Sequence, residues 1–411
     1  MNLWGMPDSR LLTPLLSAKV GSFGTKELRR LGFGGKGSGV KRRIGVVLLT
    51  VMTIAGPAGV APAGAATVRF SNRPVAGWRA VGVGRAVLVV GDTVYVGGDF
   101  STVRNNSGSS TVSRANLAAF DASTGALRTT FRADTNGTVR ALATDGSRLF
   151  VGGSFTRVNG TSRSRLAAVD LNSGAVQSFT ADANSNVYAL AVGGGRLYVG
   201  GSFSSLQGRS RSRLASVQLS DGSVASFNPS ANNSVRALAV AGDGGAVYAA
   251  GDFTSVGGSS RRYLARLNPG GQVVSPSFSG ADAPVFALSL RADASRLAVA
   301  YAGFSNQGAY YNTSSGARLW SNRCDGDAQA ISVIEDSVFV GFHEGCNGDT
   351  SVRVMSYNAS NGSRDSNFRP TFDKFYGAWA AHGNSSVLAI AGDFTRISGV
   401  AAQGFAIFAR G

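Results

Sequence analysis

From residue 67 onward the chain is a succession of short apolar or alternating runs punctuated by turn residues, with no sustained helical periodicity. One stretch shows the unit. Val139–Ala143 is an alternating run, Asp145-Gly146 a tight turn, and Arg148–Phe155 a second run ending in Gly-Gly-Ser-Phe. A polar loop leads to Arg165–Asp170, and a turn at Asn172-Ser173-Gly174 leads to Ala175–Phe179. Asp-Gly and Asn-Ser-Gly between apolar runs are antiparallel hairpin chemistry, because glycine adopts the positive φ that tight turns require. The unit therefore predicts four antiparallel strands. Small Ala and Gly in the first two suit the narrow inner end of a sheet that converges on its neighbours, and the Gly-Gly pair leaves room for close backbone approach.

The unit recurs. Val96-Gly-Gly-Asp-Phe100, Val151-Gly-Gly-Ser-Phe155, Val199-Gly-Gly-Ser-Phe203, Ala249-Ala-Gly-Asp-Phe253 and Ile390-Ala-Gly-Asp-Phe394 are clear copies; Ala300-Tyr-Ala-Gly-Phe304 and Val340-Gly-Phe-His-Glu344 are weaker ones. Their spacing averages about 49 residues, close to the roughly 40 to 50 of a four-stranded propeller blade. The expected fold is all-β: a seven-bladed β-propeller over residues 67–411, with four antiparallel strands per blade. An aromatic follows each hairpin glycine at Phe131, Phe179, Phe227, Phe278, Trp320 and Phe368. The seventh is expected at Phe70, from an N-terminal strand that pairs beside Phe405–Ala409 and closes the ring, tying down both ends.

The residues before this array read differently. Lys41, Arg42 and Arg43 precede the apolar run Ile44–Ala55, and Ala63-Gly64-Ala65 follows with small residues, the order of a secretory signal over residues 41–66. The run stops at Gly56-Pro57, short of the ~20 residues of a spanning helix, so no stable transmembrane segment is expected in the mature chain. Residues 1–40, Gly-rich and basic, read as a disordered extension or an over-extended start, with Val40 as the alternative initiator. The expected location is extracellular or at the cell surface.

Charge sharpens the partner question. Residues 67–411 carry 31 basic and 21 acidic side chains, a net +10, and every basic residue except Lys374 is arginine. Such a surface favours anionic partners. The two cysteines, Cys324 and Cys346, bracket a strand–turn–strand pattern, and in an oxidising compartment this pair is most simply a disulfide contributing about 3 kcal/mol.

The stretches Leu197-Tyr-Val-Gly-Gly-Ser-Phe203 and Arg165-Leu-Ala-Ala-Val-Asp-Leu-Asn-Ser-Gly174 resemble the delta-60-type repeats of exported bacterial β-propellers, as does the link Phe-x7-Val-x-Ala-Leu. The resemblance covers residues 67–411. It implies the architecture and little about activity, since the family is largely uncharacterised. Cys324-Asp-Gly-Asp-x-Gln-Ala330 with Val340-Gly-Phe-His-Glu-Gly-Cys346 is similar to a family variant and adds support to the disulfide.

Function must come from side chains. The turn Asp121-Ala-Ser-Thr-Gly125 has the form seen in quinoprotein blades, but a quinone needs a stacking tryptophan and a calcium cluster, and hairpin geometry explains the turn. No cofactor is expected. No metal is expected either, because no local run supplies enough oxygen ligands; Asp99, Asp252 and Asp393 are assigned to turn hydrogen bonding. His343 and Glu344 break the repeat and are the sharpest acid–base candidates, set against local repacking around the disulfide. His382, in a His-Gly-Asn-Ser segment, is expected to be solvated. Arg114, Arg163, Arg211 and Arg261 lie three residues before the leucine of each third strand and predict a basic arc, able either to bind anionic glycans or to serve its own blade.

The leading expectation is a non-catalytic, secreted or envelope-associated binding module for an anionic polysaccharide, a cell-wall polymer or another envelope protein. The alternative is an extracellular carbohydrate-active lyase or hydrolase with its site near blade six. Nucleic acid is not expected as a partner, since the charge comes without aromatic stacking platforms.

Overall fold

A computed structural model describes residues 68–346 and 348–411. The signal segment 41–66, the 1–40 extension and Thr67 lie outside the described residues. Among those described there are strands and no helices, and no helix is long and apolar enough to cross a membrane.

Among the described residues, seven sheets of three or four strands follow one another, with four small two-stranded ribbons in the loops. Within a sheet the strands run in chain order and antiparallel, as in Val139–Thr144, Arg148–Gly153 and Leu166–Asp170. The innermost strands are Arg79–Val90, Val139–Thr144, Val187–Gly193, Val235–Val240, Val285–Leu290, Ala328–Ile334 and Gly377–Gly383. Each lies beside the next, and Gly377–Gly383 lies beside Arg79–Val90.

The predicted fourth strand is mostly absent as a ladder. Only Arg318–Arg323 pairs over its length; elsewhere the segment is held by single bridges such as Val169↔Val176 and Val217↔Val224. After two hydrogen bonds, Asp170 N–H to Ala175 O at 2.8 Å and Gln177 N–H to Ala168 O at 2.9 Å, the chain leaves the ladder and Phe179 packs edge-on against Phe150 at 5.3 Å. Tyr95–Phe131 and Tyr198–Phe227 repeat the contact.

The core lies between successive sheets. Leu88, Tyr95 and Phe131 of the first share a cluster with Val139, Leu149 and Val151 of the second, and Val387, Ala389 and Phe405 of the last pack with Val87, Val96 and Phe120 of the first. Each buried Phe contributes about 1.5–3 kcal/mol by transfer from water.

At the N-terminal end, Phe70 bridges Arg410 antiparallel, and the amides of Ser71 and Val75 donate to Ala409 O (3.0 Å) and Ile407 O (2.8 Å). The Val75 bond has the register of Gln177 to Ala168, so the outer segment of the last sheet is Val75–Trp78. The seventh aromatic is therefore Trp78, packed on the cluster between last and first sheets, and not Phe70 as the spacing predicts. Phe70 packs on Phe339 of the preceding sheet, 5.4 Å between centroids. A segment with no hairpin of its own carries no sequence marker of its register.

Candidate ligand-binding site

Every innermost strand contains a β-bulge at the same place. Register jumps from Val139 to Ala141 and from Val235 to Ala237, and likewise in the other five. A bulge leaves one residue unpaired and turns its side chain out of the normal alternation. The residues concerned are Arg85, Arg140, Tyr188, Arg236, Phe286, Gln329 and Trp379. All but the buried Gln329 line one cavity of about 180 Å³ between the inner strands, walled by the small Ala and Leu residues that follow them.

In the second sheet the Gly-Gly pair fits closely against this bulge. A Cβ on Gly152 would meet Val187 Cγ1 of the next sheet at 2.6 Å, and one on Gly153 would overlap Thr138 O at the start of the bulge. In the fourth and fifth sheets Ala250-Gly251 and Ala300-Tyr301 face the same bulge, so the close fit at Gly152-Gly153 belongs to the second sheet.

Three arginines meet in the cavity wall in different states. Arg236 is fully engaged: Nε donates to Asp252 Oδ1 and Oδ2 at 2.8 Å, and its guanidinium lies over Phe286 at 5.1 Å and Tyr188 at 6.0 Å. Asp252 thus forms an ion pair rather than the turn bond assigned from sequence. Arg85 lies over Trp379 at 4.8 Å. Burial, and then the positive charge of Arg140, lower its pKa; Asp99 and Asp393 oppose this without approaching to ion-pair distance. Arg140 has no acidic partner among the described residues, and its buried Nε has no acceptor. Its sheet carries Ser154 where the fourth sheet carries Asp252.

An aromatic run leads outward from Arg85. Trp379 stacks on Tyr376 at 6.1 Å, Tyr376 meets Phe375 at 5.2 Å, and Phe375 meets His343 at 5.3 Å. Phe375 and Tyr376 are each 50% exposed, unusual for large apolar side chains. An aromatic platform beside arginine is therefore present, contrary to the sequence-based ground for setting nucleic acid aside.

The residues singled out from sequence lie elsewhere. Arg114, Arg163 and Arg211 each donate to the preceding carbonyl and to Thr129, Gln177 or Ala225 O, clamping the outer segment of their own sheet. Arg261 bonds only to Ser260 O. Cys324 and Cys346 form a disulfide. Beside it, His343 Nδ1 accepts from the Asp327 amide at 3.0 Å, while Nε2 is 3.7 Å from Glu344 Oε1, beyond hydrogen-bond distance. A larger hollow of about 560 Å³ near Arg132 and Arg157 is lined by groups already bonded to each other, such as Arg132 Nε to Asp134 at 2.7 Å.

His382 is not solvated as expected. It lies on the innermost strand Gly377–Gly383, where Nδ1 accepts from the Val89 amide of the first sheet at 3.1 Å, and burial pushes its pKa down to about 4. The unfolded chain, near 6.5, then binds the proton better, so stability is full above pH 6.5 and falls as pH drops through 4. Up to about 2 kcal/mol should be lost across that window, after allowance for screening of a half-buried ring. Urea midpoints at pH 7 and pH 4.5 should diverge in the native protein and stay together in His382→Asn, which retains an acceptor without the titration.

Comparison with known proteins bears on the architecture. A family model described as a domain of unknown function (DUF5122) beta-propeller matches residues 245–273. No curated protein matches the chain. The solved WD40 beta propeller domain of Doa1 is similar in structure, with TM-score 0.55 and 16% identity over 82% of this chain and 97% of that one. The computationally designed Ika8 protein is similar at TM-score 0.52 and 12% identity, over 83% and 97%. With strands and no helices among the described residues, and small antiparallel sheets set side by side, the protein is all-β and of the β-propeller kind.

Proposed function

We propose that the protein is an exported, non-catalytic interaction module, a closed seven-bladed propeller of the delta-60 type, that holds anionic glycans or wall polymers at the mouth of its inner cavity. The observation that carries the binding reading is the pair Arg85 and Arg140: two neighbouring cations in the cavity wall, one without a counter-charge. Closure is supported by the adjacency of Gly377–Gly383 to Arg79–Val90 and by the bonds from Ser71 and Val75 to the last strand. Export is supported by the basic–apolar–small order of residues 41–66. Arg261, the arc member with fewest internal bonds, is the one most open to an additional anion contact.

The test is glycan-array binding of the purified protein at low and high salt. Capture of acidic polymers that weakens with salt is expected, since exposed charge contacts are screened within about 10 Å at 0.1 M. Uniformly flat binding would remove the reading.

A further inference from the structure

The seven bulges make an internal comparison of the same position in different chemical states. In the fourth sheet the bulged arginine is neutralised within the protein, because Asp252 stands at the end of the adjoining strand. In the second sheet the same register position is Ser154, and Arg140 is left with a buried Nε and no carboxylate within 4 Å among the described residues. Arg85, next to it, is held in place by Trp379 and has no ion pair within that distance either. The cavity is therefore divided: Tyr188–Arg236–Phe286 is internally complete, and Trp379–Arg85–Arg140 is not.

An incomplete cationic pair in a partly desolvated wall needs an oxyanion, and a guanidinium with free donors binds one through paired hydrogen bonds. Two further features narrow the class. Asp99 and Asp393 act on Arg85 from nearby, which disfavours a doubly charged group and favours a single negative charge carried among hydroxyls that can donate to them. At about 180 Å³ the space admits a small ring or a chain end, well below the roughly 300–1,000 Å³ of drug-sized sites. The exposed rings of Tyr376 and Phe375 lie one and two aromatic residues away from Arg85 and offer an apolar surface to the flat face of a sugar.

We infer that Arg140 and Arg85 form the carboxylate subsite for a terminal uronic-acid unit, whose ring rests toward Tyr376, beside the cavity-lining Trp379. This rests on the anionic-glycan reading and assigns its site, its monomer and its end-on approach. The Trp379 ring holds Arg85 in place, so binding requires little reorganisation.

Calorimetric titration of the full protein with glucuronate, glucose and inorganic phosphate tests the assignment, using Ser154→Asp and Tyr376→Ala. Ser154→Asp reproduces the residue that the fourth sheet carries, so it should pair Arg140 internally without loss of fold. Glucuronate binding should fall about tenfold or more in that variant and several-fold in Tyr376→Ala, with glucose and phosphate far weaker than glucuronate in the native protein. Unchanged glucuronate binding in Ser154→Asp, or phosphate binding as tight as glucuronate, overturns the subsite. If acidic polymers still bind the native protein while glucuronate does not, the subsite fails and the module reading stands. If no acidic polymer binds either, both fail.

Discussion

Phe70→Ala is expected to lower the unfolding free energy by about 3 kcal/mol or more, the usual cost of deleting a buried phenyl ring. Phe70 is 5% exposed and packs on Phe339, which meets Phe368 at 5.5 Å, which in turn meets Phe408 at 5.9 Å. Its removal opens a cavity in a chain of rings joining the last two sheets and loosens the segment whose Ser71 amide bonds to Ala409. Phe304→Ala is the control: that ring is 96% exposed, and its loss should stay within about 0.5 kcal/mol. Urea denaturation checks both, through the midpoint at unchanged slope. Equal midpoints for the two variants would show that the N-terminal segment is not integral to the fold.

Gly153→Ala should be comparably damaging, about 2–3 kcal/mol, although it adds a single methyl group. The new Cβ would overlap the Thr138 carbonyl oxygen, and neither side can yield cheaply: Gly153 N–H is bonded to Arg165 O at 3.0 Å, and Thr138 O accepts from Ser154 N–H at 3.0 Å. Because Thr138 leads into the bulge, relief of the clash must shift Arg140. The variant should therefore weaken glucuronate binding beyond what its stability loss explains. Gly242→Ala, with open space around its Cβ and no positive φ, should be neutral or slightly stabilising through the unfolded state. Thermal and urea unfolding of the pair separates steric conflict from a general intolerance of Ala for Gly.

Much of the fold was legible before any coordinates. Val-Gly-Gly-Ser-Phe and its variants mark each second strand, the hairpin glycines mark the turn before each outer segment, and Cys324 and Cys346 lie where a bridge forms. What misled was local resemblance without register. Phe70 fits the missing aromatic as a Phe in an N-terminal strand with no hairpin of its own, yet Val75 holds the equivalent bond and Trp78 the equivalent place. His382 looked like a turn residue because Gly-Asn-Ser follows it, yet it ends an inner strand and accepts from Val89, 293 residues away.

The candidate site was almost invisible, and the reason is geometric. Arg114, Arg163, Arg211 and Arg261 stood out because they repeat with the blade, and a repeated residue tends to serve the blade, as the first three do by clamping their own outer segments. The bulged positions are conspicuous only when compared with one another, since they differ from sheet to sheet: Arg, Arg, Tyr, Arg, Phe, Gln, Trp.

The periodic amino-acid pattern by itself determined strands, turns, the small-residue inner edge and the repeated sheet, because those depend on neighbours within about one repeat of 49 residues. Only the tertiary structure decided which side chains share a cavity. A bulge moves one residue out of alternation, and packing brings Arg85, Arg140 and Trp379 together from strands as far apart as the first and last. Whether each arginine then finds a carboxylate depends on one position across the sheet, Asp252 in one case and Ser154 in the other, and that relation exists only once the strands are paired.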